Sequence, residues 1–217
     1  MLIVILGEEA YNKNMNKVIK FLIFSDVALV SGFGFVNPIF AIFLTERIRG
    51  GNIEVAGYAA AIYWIVISLT VILFGKYLDK NHGEKDDFWF IVVGNILAAL
   101  AVLGYIFSYL PWHIYCLQII YSLGMSMNIS AYPAIFTRHI DKGKESFDWS
   151  VRAALVGIGA GVAGALGGIV ANRFGFNVLF MGIIVFVLIS AFLPFFIYKK
   201  IWPQDEKTLR IPLGKNL

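Results

Sequence analysis

Residues 75–85 read Gly75-Lys76-Tyr77-Leu78-Asp79-Lys80-Asn81-His82-Gly83-Glu84-Lys85, a polar turn set between two apolar runs of some twenty residues each. A bilayer core about 30 Å thick needs roughly 20 helical residues at 1.5 Å rise per residue to cross it. Two runs of that length joined by so short a polar turn therefore predict a pair of spanning helices with the turn at one membrane face. Working outward, six such runs appear, at about 20–44, 55–76, 88–109, 112–137, 151–171 and 175–198. The loops between them are short, and no stretch is long enough for a separate soluble domain.

Composition agrees with this. Hydrophobic residues make up 59% of the 217 and charged residues 15%, where a soluble domain carries about 25% charge. The fold class expected is thus an all-α membrane protein of six transmembrane helices. A short tail occupies 1–19, the six-span domain 20–198 and a basic tail 199–217. Residues 1–7 are apolar but too short to span, and they lack the basic leader and cleavage site of a secretory signal. Met15, directly before Lys17, Lys20 and the first run, is a candidate natural start. The single Cys116 lies inside the fourth run, so neither a disulfide nor a thiolate metal site is expected.

Basic residues set the orientation, because Lys and Arg concentrate in cytoplasmic loops. With the N-terminus inside, fifteen of the 18 Lys and Arg residues fall on cytoplasmic segments, and only Arg47, Arg49 and Arg173 fall outside. Both termini are expected in the cytoplasm, and the membrane is expected to be the plasma membrane. Trp89, Trp112 and Trp149 sit at span edges, as interfacial aromatics do. The basic residues are accounted for by topology, which leaves no support for a nucleic-acid partner; the partners expected are the lipid bilayer, a small solute and a second six-helix unit.

Spans one and four each carry a late proline, Pro38 and Pro133. Proline removes a helix hydrogen bond and bends the rod, so matched prolines in matched spans suggest a three-helix unit used twice. With three spans per unit, the two copies are inverted in the membrane, a transporter pattern. Span five is dense in glycine, with Gly157, Gly159, Gly161, Gly164, Gly167 and Gly168; small residues allow close helix approach in lipid. Span six is apolar except for Ser190 and reads as a lipid-facing helix.

The 75–85 turn resembles the loop after the second span of Major Facilitator Superfamily transporters. Gly75, Leu78 and Asp79 match that loop, Lys80 stands where an arginine is usual, the second glycine comes one residue late at Gly83, and Glu84 interrupts the basic run. Gly32-Phe33-Gly34-Phe35-Val36-Asn37-Pro38-Ile39-Phe40 is similar to the span-one signature of the drug:proton antiporter branch. Two features of that branch are missing: Ile120 stands where an arginine precedes Gly124 by four residues, and Ala163-Gly164 stand where Gly-Pro precedes the closing Gly167-Gly168. The resemblance covers residues 17–200 and implies the N-terminal six-helix half of a major facilitator fold, whose members have twelve spans and a substrate path between two halves. A six-span chain then implies a homodimer or a second half. A non-transporting assembly protein and a truncated twelve-span chain are the competing readings.

Ionisable residues within spans are expensive and mark function by default. Asp26 is the one acid well inside a span, and Asp26, Val30, Phe33 and Asn37 recur on one helical face. Gln118, Tyr121, Met125, Asn128 and Tyr132 form a comparable face on span four. In the resembled family these spans line the central cavity, so Asp26, Phe33, Asn37, Gln118, Tyr121, Met125, Asn128 and Tyr132 are candidates for the substrate or ion pathway, with proton or cation coupling at Asp26. Helix-to-helix hydrogen bonding is the competing role for the neutral polar residues, and a structural bond for Asp26. The resemblance assigns a cytoplasmic gate to Gly75, Asp79, Lys80, Arg138 and Arg152, with Asp79 opposite Ser150–Arg152 at the start of span five in a second copy. Pro38, Pro133, Gly157, Gly161, Gly164 and Gly168 are bend and packing candidates. His82, His113 and His139 are scattered, and no protease, zinc-enzyme or cofactor motif is present; neither catalysis, a metal nor a cofactor is expected.

Overall fold

A computed structural model describes residues 15–80 and 83–201. The expectations for residues 1–14, His82 and the tail beyond Ile201 lie outside the described residues. Those residues are almost wholly helical: α1 (Lys17–Gly34), α2 (Phe40–Arg47), α3 (Ile53–Lys80), α4 (Glu84–Ile106), α5 (Pro111–His139), α6 (Glu145–Phe174), α7 (Phe176–Phe192) and α8 (Tyr198–Ile201), with 3-10 turns at Asn37–Ile39 and Leu193–Ile197.

Local chemistry sets the ends. The Asn16 side chain accepts from the Val18 amide at 3.0 Å and starts α1. Glu84, Asp86 and Asp87 occupy the first turn of α4, where the helix dipole favours negative charge. Pro111 opens α5, costing no hydrogen bond at that position. Gly175 joins α6 to α7 at a φ of +83°, a conformation side chains with a Cβ avoid.

The two matched prolines act differently. Pro38 lies in the 3-10 turn that separates α1 from α2, whereas Pro133 is carried inside an unbroken α5. The turn at 75–85 is also shorter than its sequence suggests. α3 continues through Gly75 and Asp79 to Lys80, since a lone glycine costs a long helix only about 1 kcal/mol. At the same end of the bundle, α6 starts at Glu145, several residues ahead of the expected span, since Glu145 and Asp148 suit its first turn.

Among the described residues, five rods are long and apolar enough to cross a membrane: Lys17–Arg47, Ile53–Lys80, Glu84–Ile106, Glu145–Phe174 and Phe176–Ile201. The 29-residue α5 is as long, but Gln118, Ser122, Ser126, Asn128 and Ser130 dilute its apolar character. The rods pack in the order α3, α5, α4, α7, α1, α6, with α1 also touching α5. The end rods α3 and α6 are therefore covered least: only 11% of the most apolar stretch of each is buried, against 50% for the α1–α2 rod and for α4. Two apolar clusters stack along the bundle. One, around Val18, Leu78, Phe88, Ile135, Val151 and Ile201, lies at the end where the described chain begins and finishes; the other surrounds Phe43, Ile48, Tyr105, Ile114 and Phe180 at the far end.

α7 keeps the exposed apolar side that its composition suggests, with Val178, Met181, Val185 and Phe192 outward, but it has an inward side as well. Phe180, Ile183, Val187 and Ser190 are fully buried, against α1 and α4. A helix that is apolar all round gives no clue to which side meets protein, and Ser190 marks the side that does.

Candidate functional site

Glycine sets how closely several rods approach. A Cβ on Gly94 of α4 would fall 2.5 Å from the Gly124 carbonyl oxygen of α5, and one on Gly124 equally close to the Gly94 oxygen. On α6, Gly159 meets Ser31 and Gly167 meets the Phe35 carbonyl of the α1 side, whereas Gly157, Gly161 and Gly168 face open space. The glycine-rich helix thus has two small-residue faces, one occupied and one open.

A ladder of buried polar groups crosses four rods midway. Ser25 Oγ of α1 donates to the Ser190 carbonyl of α7 at 2.8 Å, Asn95 Nδ2 of α4 donates to Ser190 Oγ at 2.9 Å, and Asn128 Nδ2 of α5 donates to Asn95 Oδ1 at 2.8 Å. Asn128 is thereby engaged between helices. Thr70 and Ser126 hydroxyls meet at 2.6 Å and tie α3 to the same group.

Between α1, α3 and α5 lies a cavity of about 490 Å³. It gathers Phe33 of α1, Asn37 of the turn after it, and Gln118, Tyr121 and Met125 of α5, five of the eight pathway candidates. α3 adds Tyr63 and Trp64, α4 adds Tyr105 and α7 adds Phe180, which a two-helix reading could not supply. Tyr121 holds the wall together, with Phe33 at 4.8 Å and Tyr63 stacked at 5.3 Å between ring centroids. No lining residue carries a charge. Toward the far end, Tyr105 also borders a smaller cavity of about 270 Å³ lined by Glu46, Arg47, Ser108 and Asn177.

Asp26 and Tyr132 belong to a different cluster. Asp26, 5% exposed, holds Arg152 of α6 at 2.7 Å. The Arg152 guanidinium lies over the rings of Tyr132 at 5.2 Å and Trp149 at 5.4 Å. The resemblance groups Arg152 with the gate, and the packing of α1 against α6 sets its guanidinium on Asp26. Arg152 thus brings a cation to Asp26 from α6.

The remaining gate candidates share the end of the bundle where the described chain begins and finishes. Arg138 closing α5 pairs with buried Asp87 and lies 3.9 Å from Glu84, while His139 Nδ1 lies 3.6 Å from Glu84. Asp79 and Lys80 are exposed at the end of α3, and a Cβ on Gly75 would meet nothing within 4 Å. The cluster of Glu84, Asp87 and Arg138 was missed in the sequence; the acids ahead of an apolar run at 84–87 were its signal. Among the described residues no group of His, Cys, Asp and Glu is placed to hold a metal ion.

The sequence profile of the Major Facilitator Superfamily matches residues 22–215. The chain is also similar to the riboflavin transporter RibZ of Clostridioides difficile (strain 630), 26% identical over 166 residues. That alignment covers 74% of this chain and 35% of the relative, so the chain spans only about a third of the relative's length.

Proposed function

The chain belongs to the Major Facilitator Superfamily, and from that membership we propose that it is a six-helix half of a secondary transporter, moving a small solute by alternating access as a dimer with a second copy. It is a multi-pass integral membrane protein. In the proposed arrangement all six rods span the plasma membrane, as two inverted three-helix repeats with both termini cytoplasmic. The spanning unit is residues 20–198, flanked by tails at 1–19 and 199–217.

One observation carries the reading. The two rods at the ends of the packing order, α3 and α6, have only 11% of their most apolar stretches buried, and the open face of α6 is paved with Gly157, Gly161 and Gly168. In lipid, small residues let a second helix bundle approach closely, and the cavity beside α3 would then lie between the two bundles. Phe33, Asn37, Gln118, Tyr121 and Met125 line the solute path in this scheme. Asn128 and Tyr132 support it from behind, Asp26 is the coupling group, and Gly75, Asp79, Lys80, Arg138 and Arg152 form the gate.

Riboflavin, which the relative's name carries, is the first solute to offer. Flux of riboflavin into proteoliposomes holding the wild-type chain is expected to exceed that of empty vesicles and to fall ten-fold or more with Asp26→Asn. A strictly monomeric chain of 24.2 kDa in mild detergent and in vesicles, together with no flux, would sink the proposal.

A further inference from the structure

We infer that the central cavity receives an uncharged, planar heteroaromatic solute whose ring edge presents both an N–H donor and a carbonyl acceptor. The inference rests on the transport reading only in calling the ligand a solute to be moved; the binding itself stands on the cavity.

Three features of the lining converge. First, none of its residues is charged, so an ionic ligand entering it would lose its hydration without gaining a counter-charge. Second, its walls are flat rings. Tyr63 and Tyr121 are stacked with 20° between their planes, Phe33 packs on Tyr121, and Trp64 and Phe40 complete the wall. Planar ligands gain from offset stacking on such surfaces. Third, two buried polar atoms in this lining lack a hydrogen-bond partner among the described residues: Tyr105 Oη and Gln118 Oε1. The residues are 5% and 6% exposed. Buried polar groups are almost always satisfied, and a pair left open in one cavity marks places for a ligand's own groups.

The chemistry of the two atoms names the complement. Gln118 Oε1 can only accept and so calls for an N–H. Tyr105 Oη can donate and so calls for a carbonyl or ring nitrogen. An aromatic hydrocarbon would fill the space and leave both atoms unpaired, whereas a ring with a lactam or imide edge satisfies them. A cavity of about 490 Å³ falls in the usual range for small-molecule sites.

The test is equilibrium dialysis of the detergent-solubilised full chain against three flat tricycles. These are lumichrome, which is neutral with an imide edge; phenazine, which is neutral without an N–H; and ethidium, a cation. Lumichrome is expected to bind at least ten-fold more tightly than either of the others and to quench tryptophan emission, and the quenching is expected to disappear in Trp64→Phe. Tyr105→Phe combined with Gln118→Leu is expected to bring lumichrome down to the level of phenazine while leaving phenazine unchanged. The wild-type chain alone gives a second reading, because methylating lumichrome at its imide nitrogen should weaken it by about ten-fold. Equal binding of lumichrome and ethidium, or no loss on methylation, overturns the inference. A chain that binds lumichrome as expected but carries no solute across vesicles refutes the transport reading and leaves this one standing.

Discussion

Asp26 and Arg152 show how much a single pairing changes. Each is an ordinary residue in its own helix; together they form a 2.7 Å ion pair roofed by Tyr132 and Trp149. Removing one partner leaves the other charge in a poorly hydrated place, which costs about 1–3 kcal/mol or more. Asp26→Asn and Arg152→Gln are each expected to lower the melting temperature of the detergent-solubilised chain. The double substitution, which leaves two neutral amide groups in reach of each other, is expected to recover most of the loss. A double substitution that loses the sum of the two single losses would mean that the two side chains act independently. Asp26 was legible in the sequence as an unusual acid, and Arg152 as a basic residue near a helix start. Their union was not legible, because neither helical periodicity nor charge counting reveals which rods become neighbours.

Among the elements, the glycines separate two jobs that their spacing alone confuses. Gly94 and Gly124 mark the closest approach of α4 and α5, each blocked by the other's carbonyl oxygen. Gly94→Val is expected to force these rods apart and cost about 1–3 kcal/mol, read as a lower melting temperature. Gly157→Ala meets open space and should leave the isolated chain as stable or slightly more so, since alanine is the better helix former. The same contrast explains what could be read in advance. The existence and rough limits of the helices followed from apolar runs, because hydrocarbon thickness fixes their length. The inward side of α7 did not, because an apolar rod in lipid has no amphipathic face to read. Ser190 was its one sign, and that sign became clear only with Asn95 beside it. Within the cavity, Phe33, Asn37, Gln118, Tyr121 and Met125 were found by helical spacing on two spans, whereas Tyr63, Trp64 and Tyr105 needed the packing of α3 and α4. Asn95 tests the ladder itself: Asn95→Leu removes its hydrogen bonds to Ser190 and from Asn128, and a loss of about 1–2 kcal/mol is expected, as for polar ties between membrane helices. An unchanged melting temperature would mean that the two neighbours find other partners.

For the molecule as a whole, the open face of α6 decides whether one chain suffices. Gly157→Leu with Gly161→Leu fills that face without touching the α1 contact made by Gly159 and Gly167. Energy transfer between labelled copies in vesicles is expected to fall several-fold while the melting temperature of the single chain holds. Energy transfer that persists would place the association elsewhere. In a Cys116→Ser background, Asp79→Cys together with Ser150→Cys is expected to cross-link between copies under mild oxidation, and a product confined to one chain would count against the gate. Because α6 begins at Glu145, Ser150 lies in its second turn, beyond the reach of the helix dipole. Any attraction of Asp79 there must come from side chains rather than from the helix end.

The polar ladder has a mechanical consequence. Ser25, Ser190, Asn95 and Asn128 bolt α1, α7, α4 and α5 to one another at a single level, and a slide of one rod by a helical turn of about 5.4 Å would break every rung it carries. α6 has no rung. Its ties to α1 are glycine contacts, Gly159 on the Ser31 side chain and Gly167 on the Phe35 carbonyl, and one ion pair near the end. If the protein changes shape, four rods travel as one block, and α6 is the rail along which slippage meets least resistance.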